Sequence, residues 1–478
     1  MANQAMPNPS FVRQEMLPPL DPPSSQTGAV KWLRENLFST WVNAGLTVLA
    51  LAAIYVVLSH FVPWVLHGVW DASSLGECRE KVAASFGPDA VGACFAAIKD
   101  RWHQWVFGFY PPELYWRPTL ALALVLAALA PVLFTSVPRQ MLWLTFVTPF
   151  LSVWLLWGGS IWGPVFTMVA FGILGAFVMM FSDRLGGITT SIVAILLVLA
   201  LFLNPVGIVI SIGNAVLSLF GLIPWTPLGF LEPLGNAAGW IFPLVKNMAA
   251  LFHKIAPIGI QEVASDRFGG FLLSITIGMT AIACSLPMGI LLALGRRSDM
   301  FLVKTLSVGF IEFVRGVPLI TMLFTATLLL QYFLPPGTNF DVILRVIIMV
   351  TVFSAAYIAE VIRGGLAALP RGQYEAADAL GLNYWQAQRH IIMPQALKIS
   401  IPGIVSSFIG LFKDTTLVAL VGLLDPLQGI TKIVRADITW KGLYWEPYLF
   451  VGFIFFIFCF GMSRYSMYLA RKLKREHR

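Results

Sequence analysis

Long, uninterrupted apolar runs are the feature that most limits how this chain can fold. Several of them reach about 20 residues, the length that an α-helix needs to cross a hydrocarbon core ~30 Å thick. Of the 478 residues, 58% are hydrophobic and 12% are charged, which leaves too little charge to cover a water-soluble globule. The sequence has no series of short alternating segments typical of a membrane β-barrel. It therefore predicts an all-α, polytopic membrane protein.

The basic residues lie at the ends of the apolar runs, although a formal net charge of +8 could suggest nucleic-acid binding. Lys and Arg collect on the cytoplasmic flanks of membrane spans, so the positive-inside rule accounts for this charge without a nucleic acid partner. The basic residues ahead of the first run, and the closing "RKLKREHR", predict that both termini are cytoplasmic.

The apolar runs and their charged flanks divide the chain into five segments. We expect a disordered cytoplasmic tail at 1–40, transmembrane helices at 41–158 with an extracytoplasmic loop at 63–117, further transmembrane or interfacial helices at 159–265, a five-helix unit at 266–470 and a basic cytoplasmic tail at 471–478. About ten membrane spans (roughly 8–12) fit this pattern. They are expected near 41–60, 118–137, 141–158, 162–181, 188–210, 268–294, 304–333, 342–362, 399–422 and 447–469.

Two of the four cysteines, Cys78 and Cys94, fall in the expected extracytoplasmic loop. That compartment is oxidising, so a disulfide between them would persist, and closing the loop would contribute about 3 kcal/mol. Two unpaired thiols are the alternative. Cys284 and Cys459 lie in apolar runs, where a cysteine behaves as a small packing residue.

The sequence carries no catalytic signature. It contains no GxxxxGK[ST] loop for ATP phosphates, no HExxH pair or Cys/His cluster for a metal, and no GxSxG nucleophile motif. We therefore expect a protein that is not an enzyme and has no cofactor or metal of its own. Transport driven by ATP would need a separate ATPase chain.

The stretch "EAADALGLNYWQAQRHIIMP" is a polar loop inside the five-helix unit, placed with its flanks at 369–397. Pro370 can start a helix, and Gly381 readily takes the positive φ that ends one. Asn383 can cap a second helix, with Gln386 in the capping-box position, and Pro394 is expected to end it. These signals predict two short helices joined by a glycine bend at the membrane surface.

The composition of this hairpin suggests a docking surface. Ala376 and Ala377 are small enough for a partner's groove to approach the helix backbone, while Glu375, Asp378 and Arg389 offer charged contacts. The alternative is a solvated hairpin that only connects two spans.

The same stretch resembles the EAA loop of ABC importer permeases, whose pattern is EAAxxxG, nine residues, then IxLP. Met393 stands where the pattern has Leu. The resemblance implies that the loop docks in a groove of an ATPase subunit. It assigns this coupling role to Glu375, Ala376, Ala377, Gly381, Arg389, Ile391 and Pro394.

Two further segments resemble those of polar amino-acid permeases. "RGVPL" is similar to their RGTPL segment, with Val317 for Thr, and "KDTTL" is similar to KDTSL, with Thr416 for Ser. Together with "PMGILLALGRRS" they look most like the M-type subunit of general L-amino-acid ABC importers. This resemblance implies a multi-pass permease of the bacterial inner membrane. It also implies three partners: an ABC ATPase dimer that binds ATP and Mg, a second permease chain in a hetero-pair, and a periplasmic amino-acid-binding protein.

Charged residues within the apolar runs need partners, because a charge at mid-bilayer costs about 2.5–3.5 kcal/mol on insertion scales. Glu312 with Arg315, and Glu360 with Arg363, are three residues apart and can pair on one helix face. Such pairs can also be purely structural.

Lys413 and Asp414 point about 100° apart on a helix, so they need partners on other spans or a polar cavity. Such a cavity could hold the ammonium and carboxylate of an amino acid; a local helix break is the alternative. The candidate translocation residues are Glu312, Arg315, Pro318, Lys413, Asp414 and Thr415.

An ABC permease for another small polar solute is the main alternative function. A stand-alone secondary carrier would explain the intramembrane charges but not the EAA loop. A structural scaffold would carry no solute at all.

Overall fold

The computed structural model describes residues 28–134, 136–185, 241–329 and 341–475, and nearly all of their regular structure is helical. Six helices in these ranges are long and apolar enough to cross a membrane, or up to seven if one bent pair counts as a span. The prediction of an all-α polytopic membrane protein is confirmed. The span expected at 188–210 lies outside the described residues, so the total of about ten stays a prediction.

The chain forms two compact units, one of residues up to 72 together with 76–95, the other of 73–75 together with 96–478. In the first, α1 spans Gly28–Asn36 and α2 spans Trp41–Leu66. The prediction of a disordered tail at 1–40 is therefore wrong for residues 28–36. Lys31 and Glu35 lie one turn apart with 3.8 Å between their charged groups, a spacing that supports an exposed helix.

A helix and a disulfide organise part of the loop expected at 63–117. Helix α3 spans Leu75–Phe86. Cys78 and Cys94 are joined by a disulfide with their Cα atoms 5.9 Å apart, and each residue is 2% exposed. The Val69 N–H donates to the Ala93 carbonyl at 2.9 Å, next to this crosslink in the chain. The structure thus contains the disulfide and not two unpaired thiols.

The second unit begins with α4 (Ala96–Phe107), α5 (Trp116–Leu133), α6 (Leu142–Trp157) and α7 (Trp162–Leu185). Helices α5 and α6 correspond to the spans expected near 118–137 and 141–158 and pack against each other, and the Thr145 hydroxyl donates to the Ala128 carbonyl at 2.7 Å. Helix α8 (Ile241–Ile255) packs on α7, where the rings of Phe252 and Trp162 lie 5.2 Å apart. The short strands β1 (Gly159–Ser160) and β2 (Gly259–Ile260) pair antiparallel beside them. We expect interfacial or re-entrant helices at 211–254; residues 211–240 lie outside the described residues, and α8 covers the remainder.

The rest of the second unit corresponds to the segment expected at 266–470. Its helices are α9 (Gly270–Arg296), α10 (Phe301–Gly316), α11 (Leu319–Phe324), α12 (Val342–Ala367), α13 (Arg371–Ala379), α14 (Tyr384–Ala387), α15 (Met393–Asp414), α16 (Pro426–Ala436) and α17 (Trp445–Arg475). Helix α17 continues to Arg475, so residues 471–475 of the expected basic tail are helical; the cytoplasmic position of this tail stays a prediction.

Helices α9, α12 and α15 pack closely because small residues line their contacts. A Cβ atom added at Gly289 of α9 would lie 2.6 Å from the Ile358 side chain of α12. One added at Gly403 of α15 would lie 2.7 Å from Val361. Apolar side chains fill the space on either side of these contacts. The three helices therefore form the scaffold on which the functional residues are placed.

The span expected at 304–333 is not one straight helix. Helix α10 ends at Gly316, and the chain bends by 102° before α11, which continues as a π-helical turn at Thr325–Leu329. Pro318 has no N–H for a helix, and its ring forces the preceding residue into an extended conformation. Val317 accordingly has φ −96° and ψ 131°. The "GVP" sequence thus replaces a single span with two helices.

The second helix of the polar loop does not end before Pro394. Helix α14 continues through a π-helical turn at Gln388–Ile392 directly into α15. Proline cannot donate to the carbonyl four residues earlier, and its ring crowds that carbonyl. A π turn widens the helix at this point, so the helix passes the proline. The last residues of the loop that we placed at 369–397 therefore belong to the first turns of α15.

Candidate functional site

Helices α13 and α14 form the hairpin that carries the EAA motif, and backbone geometry fixes its bend. Gly381 has φ +70°. Its N–H donates to the Asp378 carbonyl at 2.9 Å, and the Leu382 N–H donates to the Ala377 carbonyl at 3.2 Å, which together form a Schellman motif. Asn383 and Gln386 form the reciprocal capping box that starts α14. Both ends of the bend adopt the conformations that the sequence predicts.

One face of the hairpin is exposed. Glu375 and Ala376 are exposed, while Leu380 and Tyr384 are 72% and 52% exposed. Ala377 is 0% exposed and packs inward, so it cannot offer the close approach to a partner that we expected of it.

The other residues to which the motif assigns a coupling role also differ in exposure. Arg389 and Pro394 are exposed, and Ile391 is half-buried. Of the whole set, the exposed residues that a partner could reach most readily are Glu375, Ala376, Gly381, Arg389 and Pro394.

The buried side of the hairpin is tied to two neighbouring helices. The Arg297 guanidinium, just after α9, donates to the Tyr374 hydroxyl at 3.0 Å and lies 5.5 Å from the centre of its ring. The Gln395 amide of α15 donates to the Gln373 side chain at 2.9 Å. The hairpin therefore has polar connections to both sides of the helical scaffold.

Beside this hairpin, Glu360 of α12 joins three arginines. Its carboxylate lies 2.9 Å from the Arg296 guanidinium and 3.8 Å from that of Arg315, and it accepts a hydrogen bond from Arg363 at 3.0 Å. The Glu360 side chain is only 15% exposed, and a buried carboxylate is stabilised only when charged partners surround it closely. The expected Glu360–Arg363 pair is present, but it is one part of a larger cluster.

The expected pair of Glu312 with Arg315 is not the contact that forms. Glu312 instead accepts from Arg296 at 2.7 Å. Helix α10 lies across the end of α9: Ser307 and Glu312, about one and a half turns apart, both contact its last turn. Arg296 and Arg297 are not among the candidate residues predicted from the sequence; two adjacent basic residues at the end of a span are the signal that could have identified them.

A cavity of about 260 Å³ lies between α11, α12 and α15. Its polar lining consists of Asp414, Ser354, Ser407 and Tyr357. The Ser354 hydroxyl is buried and has no hydrogen-bond partner among the described residues. Asp414 is the charged residue of this lining, so the cavity could accept a group that carries an ammonium and several hydrogen-bonding oxygens.

The candidate translocation residues are not all brought together. Lys413 is exposed and lies outside the cavity lining, as the angle between neighbouring helix positions requires. The buried Thr415 hydroxyl donates to the Phe412 carbonyl at 2.7 Å. Pro318 caps α11, whose Leu319 lines the cavity. Glu312 and Arg315 lie in the ion cluster, so Asp414 is the member of the predicted set that faces the cavity.

The opposite end of the unit, where α9 starts, holds a buried acid. Asp425 caps α16, is 0% exposed and accepts from the N–H groups of Leu427 and Gln428 at 3.0 and 2.9 Å. Burial raises its pKa to about 6, against the opposing effect of these hydrogen bonds. The Gly270 N–H donates to the Leu424 carbonyl at 2.8 Å, so this cap is joined to the first turn of α9.

Comparisons with known proteins identify the family. Residues 285–475 match a family model described as the inner membrane component of binding-protein-dependent transport systems. The chain is 59% identical to the glutamate/glutamine/aspartate/asparagine transport system permease protein BztC of Rhodobacter capsulatus, over 98% of this chain and 99% of that protein. It is 32% identical to the inner membrane amino-acid ABC transporter permease protein YhdY of Escherichia coli, over 95% and 96% of the two chains.

Solved structures that match include an amino acid ABC transporter with histidines, at 29% identity and a TM-score of 0.37 over 42% of this chain and 91% of that one. The two full-length sequence relatives carry the assignment, since each aligns along nearly the whole chain. This chain belongs to the family of inner-membrane permeases of amino-acid ABC transporters.

Proposed function

We propose that this chain forms the membrane pathway of an importer for glutamate, aspartate and their amides. The relative with 59% identity over the whole chain is named for these four substrates. The exposed face of the α13–α14 hairpin is the observation that supports the mechanism, because the Schellman motif and the capping box fix its conformation.

In this proposal, an ATPase subunit binds the exposed face around Glu375 and Ala376. The ATPase binds ATP and Mg, since this chain has no P-loop of its own. Leu380 and Tyr384 add exposed apolar surface next to the charged residues, and a few such buried side chains supply most of the affinity of an interface. The hairpin and both termini would then lie on the cytoplasmic side.

The cavity beside Asp414 is the proposed path of the amino acid. The carboxylate of Asp414 would pair with the substrate ammonium, and the hydroxyls of Ser354, Ser407 and Tyr357 would donate to substrate oxygens. The unpaired Ser354 hydroxyl supports this role, because buried polar groups usually have a partner.

Two further partners complete the proposed importer. A second permease chain would form the other half of the pathway, and a periplasmic binding protein would deliver the amino acid. Closure of the ATPases would move the hairpins and change the side of the membrane to which the cavity opens.

The experiment is ATP hydrolysis by the reconstituted complex with and without binding protein and glutamate, comparing wild type with Glu375→Arg/Gly381→Leu. We expect the variant to lose both stimulated hydrolysis and co-purification of the ATPase. The matched control is Glu80→Arg/Gly87→Leu, which makes the same charge reversal and places a side chain at another positive-φ glycine, φ +104°, in the other compact unit of the chain. Retained stimulation in the hairpin variant would refute the docking role.

A further inference from the structure

We propose that Glu360 couples the α13–α14 hairpin to the cavity through a chain of ion pairs and ring contacts. This inference rests on the proposed function and adds the residues that would transmit the motion. Glu360 is a positioning residue in this scheme, because the nearest cavity residue, Tyr357, lies one turn away on the same helix.

The chain of contacts begins at the hairpin. Tyr374 of α13 is held by Arg297, both by the 3.0 Å hydrogen bond and by the guanidinium above its ring. Arg296 is the adjacent residue at the end of α9, and its guanidinium forms an ion pair with Glu360 at 2.9 Å. A displacement of α13 therefore pulls on the same helix terminus that holds Glu360.

The ion cluster can exchange partners without leaving a charge unpaired. Arg296 contacts two carboxylates, Glu312 at 2.7 Å and Glu360 at 2.9 Å. Glu360 in turn faces three guanidinium groups, from Arg296, Arg315 and Arg363. If Arg296 moves fully to Glu312, Glu360 keeps Arg363 and can draw in Arg315, which now lies 3.8 Å away. Two discrete arrangements of the same charges are what a two-state switch requires.

The chain of contacts ends at the cavity. The Arg315 guanidinium lies 5.4 Å from the centre of the Tyr357 ring, and Tyr357 lines the cavity. Arg315 is also the residue before the Gly316 end of α10, next to the 102° break that leads to α11. A shift of Arg315 toward Glu360 would therefore move a cavity wall on one side and the start of α11 on the other.

A second physical route links the hairpin to the cavity and serves as the competitor. Gln373 and Gln395 connect α13 to α15, and α15 carries Ser407 and Asp414. The two routes share no side chain, so substitutions can separate them.

The test uses the complete complex in proteoliposomes with its binding protein. It measures the ratio of stimulated to unstimulated ATP hydrolysis and the number of amino acids transported per ATP. Glu360→Gln removes the charge and keeps the shape; we expect the stimulation ratio to fall by about tenfold, the size of a typical coupling between two sites. Glu360→Asp keeps the charge and should recover part of the ratio. Lys304→Gln neutralises an exposed residue of α10 and should leave both values unchanged.

A double-mutant cycle separates coupling from a merely structural role. Tyr374→Phe removes one hydroxyl from the hairpin end of the chain, and Arg315→Lys removes the planar group at the cavity end. We expect each to lower the ratio and the pair to be non-additive. Should Glu360→Gln fail to assemble, this cycle decides the question alone, since additive effects overturn the inference.

Other outcomes would show whether the inference about Glu360 or the proposed importer function is wrong. Wild-type stimulation and stoichiometry in Glu360→Gln would overturn the inference. A loss of stimulation in Gln395→Ala alone would also overturn it, because it would assign coupling to the α15 route. A wild-type complex that shows no stimulation at all would instead refute the proposed importer function.

Discussion

Replacing Asp425 with Asn should change how stability depends on pH. The folded pKa of Asp425 is about 6 because burial outweighs its backbone hydrogen bonds, against an ordinary value of 3.8. Between these two values the folded chain binds more protons than the unfolded chain, so folding stability falls as pH rises. The stabilising contribution of the Asp425 titration is fully present below pH 3.8 and is lost once the pH has risen above about 6.

The loss over this interval is about 3 kcal/mol, at about 1.36 kcal/mol for each pH unit. About 2 kcal/mol of it falls above about pH 4.5, where a detergent-solubilised protein can be studied. For a chain of 478 residues, whose unfolding entropy is about 1 kcal/mol per kelvin, this corresponds to a decrease in Tm of about 2 °C.

Asp425→Asn keeps an oxygen that can accept from the helix N-terminus, and it carries no charge at any pH. Thermal unfolding should therefore show a Tm difference between variant and wild type that shifts in favour of the variant from about pH 4.5 to about pH 7.5. The comparison cancels the titration of all other groups. A Tm difference that stays constant across this range would refute the reasoning, because it would mean that Asp425 has the same pKa in the folded and unfolded chains.

Three further substitutions test the fold. Gly381→Ala should destabilise the hairpin by about 1–2 kcal/mol, because the added Cβ meets no neighbouring atom but sits on a residue with φ +70°. This variant should reduce co-purification of the ATPase. Gly381→Asn should retain it, since asparagine tolerates positive φ. Cys78→Ser removes a crosslink between residues 16 apart and should cost about 3 kcal/mol, seen as faster proteolysis between α2 and α4; unchanged proteolysis would contradict this. Gly289→Ala should lower Tm, with about 1–3 kcal/mol of overpacking against Ile358, whereas Gly309→Ala, in open space, should not.

The sequence predicts the local structure of this protein well where the signal is local. Gly381 and the Asn383–Gln386 pair specify the hairpin because their effect depends on backbone conformation alone. The long spans are equally clear, since their length is set by the bilayer. Pro318 also indicates a break in the helix. The long apolar runs on either side of it nevertheless led us to predict a single span.

The contacts between distant residues could not be predicted in the same way. Arg296, Arg315 and Glu360 come from three helices, and periodicity gives the face of each helix but not its neighbours. The i,i+3 rule therefore predicted an ion pair between Glu312 and Arg315, whereas the packing of α10 across the end of α9 places Glu312 next to Arg296. Ala377 likewise has the small size of a contact residue, and only the packing places it inside.

Uptake of labelled glutamate into proteoliposomes tests the central claim most directly. The vesicles contain the complete complex, with ATP inside, binding protein outside and no ion gradient. We predict uptake that requires both ATP and binding protein and that is lost in Glu375→Arg/Gly381→Leu. Uptake by this chain alone, driven by a proton or sodium gradient without ATP, would contradict the account.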